Sequence, residues 1–225
     1  GWKEFYNKLS LLPPKEIIST FVDPPKMKLE EMVKNRDRNG EIKLLFFSVL
    51  SERKGLKDIL AILNNLLEIP NLSVTISGAI AENEKAIYKE LLLASKTYGD
   101  RFIVESDVDK SRKDDLYKTA DIYFLPTYAE GLPTTMLEAM SYGLPIISTP
   151  VGAIPEVIKD NVNGYLINPG DHNSLFFSIQ KLVNNNKLRN KMGYNNYEII
   201  SENYVTDKVM KKFSHIYKSF FSNLN

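Results

Sequence analysis

Along the chain, short unbroken apolar runs alternate with stretches whose apolar positions recur every three or four residues. The first pattern suits strands buried on both faces, and the second suits amphipathic helices laid over them. "IKLLFFSVL" (42–50) predicts a buried strand, followed by a helix over 55–67. "LSVTISG" (72–78) predicts the second strand, with a helix over 82–96 after it. "RFIVE" (101–105) is a weaker third strand, followed by a helix over 113–119. "ADIYFLP" (120–126) predicts the fourth, leading through a Gly/Pro loop to a helix over 134–142. "LPIIST" (144–149) and "GYLINP" (164–169) complete a set of six. From Asp171 to about Phe221 the pattern is helical in two or three pieces, with Asp171 and Thr206 as N-cap candidates. Strands that alternate with helices predict an α/β, Rossmann-like parallel sheet with helices on both faces and a helical C-terminal extension.

The first forty residues break this rhythm. "LLPPKEIISTFVDPPKMKLEE" is punctuated by prolines and has the character of a connector. The expected organisation is therefore 1–41 as linker and the end of a missing N-terminal domain, 42–204 as the Rossmann-like domain, and 205–225 as a docking helix.

Composition narrows the function classes. A formal net charge of +1 over 225 residues provides no field for nucleic acid or an anionic membrane. The absence of cysteine excludes disulfides, thiolate metal sites and cysteine nucleophiles. The N-terminal "GWKEFYNKLSLLPP" lacks the apolar core of a signal peptide, and no run approaches the roughly 18 apolar residues of a membrane span. A soluble, cytoplasmic protein is expected.

In open parallel sheets, ligands lie beyond the carboxyl ends of the strands. The loops there are "SERKG", "SGAIAEN", "TYAEGLPT" and "TPVGAIPE", and each opens a helix. Helix N-termini offer free N–H groups to anions. Lys54, with Arg53 beside it, adds charge to the first loop, and Gly78 starts the second. Neither a dinucleotide fingerprint nor a P-loop is present. If the amides of Gly131, Leu132, Pro133's neighbours and Thr134 hold a phosphate, Glu138 one turn on is placed for a ribose diol. Glu130, at the start of the loop, then faces sugar hydroxyls.

"EGLPTTMLEAMSYGLPIISTPVGAIPEVI", preceded by "ADIYFLP" and followed by "NGYLINPGD", resembles the C-terminal, donor-binding domain of family 4 glycosyltransferases of GT-B fold. The resemblance extends over some four-fifths of the chain, with Glu130 and Glu138 as the ends of the family's E-x7-E motif. It implies a retaining transfer from a UDP- or GDP-linked sugar to a glycan or lipid acceptor, as in polysaccharide biosynthesis. It assigns Glu130 and Lys54 as catalytic, with Lys54 matching the family's phosphate-neutralising lysine. Glu138 would hold the ribose, the backbone of Gly131, Leu132, Pro133 and Thr134 would lie near the phosphates, and the base would lie near Asp107 and Val108. Metal and cofactor are not expected, because Lys54 and helix ends take the charge. The acceptor would be held by the missing N-terminal domain, so the fragment alone should not transfer sugar. Peripheral contact of the full-length protein with the inner face of the membrane is compatible with this picture.

One position departs from the family: Val49 stands where an arginine is usual, so Arg53 becomes a candidate replacement. Two other readings follow from the same residues. One is a nucleotide-binding module without transfer activity, and the other is a retaining glycosidase using the two glutamates. "DVD" (107–109) matches a metal-binding triplet of other glycosyltransferases, though without their surrounding pattern. His172 and His215 have no ligand partner at helical spacing. In the last helix Val209, Phe213, Ile216, Tyr217 and Phe220 form one stripe, expected to dock on this domain or its partner rather than on a membrane.

Overall fold

The computed structural model describes residues 20–36 and 40–222. In chain order the elements are α1 (Leu29–Asn35), β1 (Ile42–Phe47), α2 (Leu56–Glu68), β2 (Leu72–Gly78), α3 (Lys85–Tyr98) and β3 (Phe102–Ser106). They continue with α4 (Lys110–Thr119), β4 (Ile122–Leu125), α5 (Thr134–Ser141), β5 (Ile146–Ser148), α6 (Ile154–Val157) and β6 (Gly164–Leu166). Three helices follow: α7 (His172–Val183), α8 (Asn186–Asn203) and α9 (Thr206–Ser222).

All six strands are parallel, in the order β3-β2-β1-β4-β5-β6. The central strands β1 and β4 have almost no exposed side chains: Leu44, Leu45, Phe46, Ile122, Tyr123, Phe124 and Leu125 are all buried. That explains their unbroken apolar sequences, because helices cover both faces. Helix α2 packs on α3 and α7, whereas α1, α5 and α9 pack on α8. The chain runs outward from β1 to β3, then returns to β4 on the other side of β1. The carboxyl ends of β1 and β4 therefore border a topological switch point, where such sheets open a crevice.

Several expected boundaries shift. Helix α4 begins at Lys110 rather than 113, because Asp109 caps it by accepting from the Arg112 amide at 2.7 Å. Helix α6 opens with Pro155 in its first turn and was not foreseen. Asp171 caps α7 as expected, accepting from Ser174 N at 2.9 Å. Thr206, by contrast, is the first residue of α9 rather than its cap, and its hydroxyl donates to Asp23 Oδ1 at 2.6 Å.

The stretch expected to be a connector is partly outside the described residues, but what is described joins the domain. Leu29 and Met32 of α1 are buried, and Val22 N donates to Tyr204 O at 2.9 Å. In α9, Val209 is buried, while Phe213 and Tyr217 stack on one another and stay about half exposed. The Phe220 side chain lies outside the described residues. Among the described residues, no helix is long and apolar enough to cross a membrane.

Two glycines shape the crevice. Gly55, between the Lys54 turn and α2, has φ +83°, and a Cβ there would lie 2.1 Å from Pro126 O. Gly78 has φ +145°, and its Cβ would lie 1.7 Å from Ser48 O. Only glycine permits either backbone and either approach.

Candidate functional site

The turn after β1, Glu52–Lys54, lies against the loop after β4. Tyr128 N donates to Arg53 O at 2.9 Å, and Thr127 Oγ1 donates to the same carbonyl at 3.2 Å. These bonds join the backbones that carry Lys54 and Glu130. Lys54 Nζ donates to Glu130 Oε1, closing an ion pair whose side chains are 9% and 12% exposed. The loop is fixed from its other side by Ala153 N, which donates to Gly131 O at 2.8 Å.

Glu138, on the first turns of α5, reaches α4. Lys113 Nζ donates to its Oε1 at 2.6 Å, and Tyr117 OH donates to its Oε2 at 3.0 Å. The Lys113 ammonium also lies 5.9 Å from the centre of the Phe47 ring at the end of β1. Burial pushes the Tyr117 hydroxyl well above the ordinary tyrosine range, with Tyr123 and the Glu138 carboxylate adding to the effect. It therefore remains a proton donor across neutral pH. Tyr123, also raised by burial, donates to Phe47 O at 2.9 Å and lies 3.0 Å from Thr135 Oγ1.

No side chain caps the N-terminus of α5, where Pro133 precedes an exposed Thr134. Gly131 is exposed and open to solvent, whereas Pro133 is buried and Leu132 packs partly on the core. Thus Lys54, Glu130, Glu138, Lys113 and the amino end of α5 all gather at the carboxyl ends of β1 and β4.

The other expected site residues have varied placements. Arg53 is exposed, and the bonds described above use only its carbonyl. Val49 is 47% exposed at the same mouth and brings no charge. Asp107 is exposed with φ +53° at the end of β3, and Val108 packs partly on the core. Gly78 has a packing reason for being glycine, given above. Asp109 of the "DVD" triplet is engaged as the cap of α4. Among the described residues, no group of three or more His, Asp or Glu side chains is arranged to hold a metal ion.

Sequence reading missed Lys113 and Tyr117. Their i,i+4 spacing puts both on one face of α4, but only the fold turns that face toward Glu138. It also missed Asp58 of α2, a buried carboxylate bridging three elements. Asp58 Oδ1 accepts from Tyr128 OH at 3.0 Å and lies 2.8 Å from His172 Nε2. This cluster ties the Glu130 loop to α2 and α7, two residues before the glutamate itself.

A family model described as glycosyl transferases group 1 matches residues 27–199. The chain belongs to this family. The C-terminal domain of a glycosyl transferase group 1 family protein, LpcC, from Francisella tularensis shares 26% identity. Its crystal structure matches with a TM-score of 0.69, over 82% of this chain and 99% of that one. HepE of Anabaena in complex with UDP shares the fold, with a TM-score of 0.72 at 20% identity, over 86% of this chain and 54% of that one. An uncharacterized glycosyltransferase of Methanocaldococcus jannaschii is 25% identical over 181 residues, covering 80% of this chain and 46% of its own. This group 1 domain, with its GT-B-type Rossmann-like sheet, spans about half the length of the curated relatives it matches.

Proposed function

We propose that this chain is the donor-binding half of a family 4, retaining glycosyltransferase that takes a UDP- or GDP-linked sugar. The observation carrying this reading is the pair of acids, each matched with a lysine, beside the uncapped N-terminus of α5 at the switch point. Glu138, held by Lys113 and Tyr117, retains acceptor capacity for ribose hydroxyls, since a carboxylate offers about four lone-pair sites. Glu130 takes hydroxyls of the donor sugar. Lys54 and the α5 amides face the diphosphate. When the bond from the anomeric carbon to phosphate breaks, its electron pair passes to the phosphate oxygen, and these donors stabilise that charge. The base lies near Asp107 and Val108. A metal is not required by this arrangement. The acceptor, a glycan or lipid, is held by a further domain, so the 225 residues bind donor without efficient transfer.

Complexes of HepE with UDP and with UDP-glucose support a nucleotide-sugar ligand for the fold. The test is calorimetric titration with UDP, GDP and ADP, then their sugars. Hydrogen bonds to a charged acceptor contribute about 1.5–3 kcal/mol, so Glu138→Ala should weaken nucleotide binding by about one to two orders of magnitude. Binding equal to the parent's would remove the ribose assignment. A second reading, a nucleotide-binding module without transfer activity, is favoured by the uncharged Val49 at the mouth. Turnover by the full-length protein with labelled UDP- or GDP-sugars separates the two.

A further inference from the structure

The Lys54–Glu130 pair lies at the carboxyl ends of β1 and β4, and its two sides differ in what a ligand can give back. Both side chains are largely shielded from water, at 9% and 12% exposure. Parting such a pair is unfavourable unless each charge finds a new partner, because a shielded, uncompensated charge is strongly disfavoured. A diphosphate supplies a new partner for Lys54. It supplies none for Glu130. A sugar on the diphosphate supplies hydroxyl donors for Glu130 as well.

Resting on the donor-site reading above, we propose that Glu130 is the residue by which the site distinguishes a sugar-bearing nucleoside diphosphate from the bare one. In the empty site Glu130 keeps Lys54 engaged. The sugar-bearing ligand replaces both halves of the pair, and the bare diphosphate replaces one. Once the sugar has left, Glu130 competes again for Lys54 and weakens the grip on the nucleotide that remains. Glu138 cannot discriminate in this way, because a ribose is present in both ligands. Its partners Lys113 and Tyr117 belong to α4 rather than to the Lys54 turn.

The arrangement of the loops supports an exchange at this point. Lys54 and Glu130 belong to different loops, joined through the Arg53 carbonyl by Tyr128 N and Thr127 Oγ1. The backbones are thus held in register while the side chains are free to change partners. Glu130 itself lies between these bonds and the bond from Ala153 N to Gly131 O, so its backbone is held on both sides and any exchange falls to its side chain.

The experiment titrates the 225-residue parent, Glu130→Gln, Glu130→Ala, Lys54→Met and the Lys54→Met/Glu130→Gln double variant with UDP, UDP-glucose, GDP and GDP-mannose. For the base that the parent accepts, both Glu130 variants should bind the bare diphosphate about tenfold more tightly, and the sugar-bearing ligand more weakly. In the Lys54→Met background the Glu130 substitution should leave diphosphate affinity unchanged, since no lysine remains to be released. Unchanged or weaker diphosphate binding in the Glu130 variants overturns the proposal and leaves the donor site standing. A gain that persists without Lys54 also overturns it, because general charge repulsion would then account for the effect. A parent that binds none of the four ligands overturns both this proposal and the donor-site reading.

Discussion

Two polar clusters in this domain are built on opposite plans. Between β5, β6 and α8, Asn163 and Asn196 are fully buried and neutral. Asn196 Nδ2 donates to Leu144 O and to Asn163 O, each at 2.7 Å, and Asn163 Nδ2 donates to Asn196 Oδ1 at 2.8 Å. Lys159 N donates to Asn163 Oδ1 at 2.7 Å. Amide and carbonyl groups are matched there by neighbours that do not exchange. At the mouth of β1 and β4 the groups are charged, partly exposed and drawn from two loops and two helices. A neutral, satisfied, buried node adds stability and a fixed geometry. A cluster of ion pairs at a crevice keeps charges ready for a ligand. On the donor-site reading proposed above, the contrast separates residues that hold the fold from residues that await a partner.

The largest expected effect falls on the buried node. Asn196→Ala leaves the buried Leu144 and Asn163 carbonyls without that donor and removes one of the two acceptors of Asn163 Nδ2, the other being Val157 O, and should cost about 3 kcal/mol of stability. Urea denaturation measures it, and nucleotide affinity of the folded fraction should not change. A loss below about 1 kcal/mol would show that water replaces the side chain and that the node is not closed.

Next comes Lys54→Ala, which on the donor-site reading removes a charge-assisted donor to the diphosphate. Affinity for UDP or GDP should fall about ten- to hundredfold, and the denaturation midpoint should fall as well, because Glu130 is left shielded without its partner. Unchanged affinity would mean that the α5 amides alone hold the phosphates, and the contrast between the two clusters would narrow.

Tyr117→Phe tests whether the mouth also draws on buried structure. It removes one of the two donors to Glu138 and should lower nucleotide affinity about three- to tenfold. It should also change the alkaline limb of stability. Burial raises the Tyr117 and Tyr123 hydroxyls above the ordinary tyrosine value of about 10, so above that pH the native chain retains protons that the unfolded chain has released. Stability therefore falls as pH rises beyond about 10, and Tyr117→Phe should make that fall shallower. Denaturation profiles from pH 8 to 11.5 would detect it.

The smallest effect is expected at Val49. Its side chain is 47% exposed beside the Lys54 turn, so Val49→Arg should fit and tighten diphosphate binding only about two- to threefold, as for an exposed charge. The gain should shrink with salt; a gain that does not shrink would place the new arginine against the phosphates in a shielded position.

Much of this was legible from sequence because it is local. Unbroken apolar runs such as "IKLLFF" and "IYFL" identify strands covered on both faces, and these are β1 and β4 as found. Asp171 and its helix are also local, since an N-cap needs only the residues next to it. Glu130 and Glu138 were visible through the Gly/Pro loop and the helix between them. Errors arose where distant residues intervene. Thr206 has the chemistry of a cap, but its hydroxyl is taken by Asp23 at the far end of the chain. Burial of Leu29 and Met32, which follow the prolines, likewise depends on packing against distant elements.

By itself, then, the sequence determined the alternation of strand and helix, the loops that end the strands, and the two acids with a lysine among them. Those properties depend on periodicity, turn chemistry and residue type within a few positions. Only the tertiary structure decided that β4 returns to the far side of β1, which opens the crevice at their carboxyl ends. It alone brought Lys54 to Glu130 across 76 residues, and Lys113 and Tyr117 to Glu138. Pairings of this kind depend on how the sheet is ordered and where each helix face is turned, and neither is written in the spacing of residues along one segment.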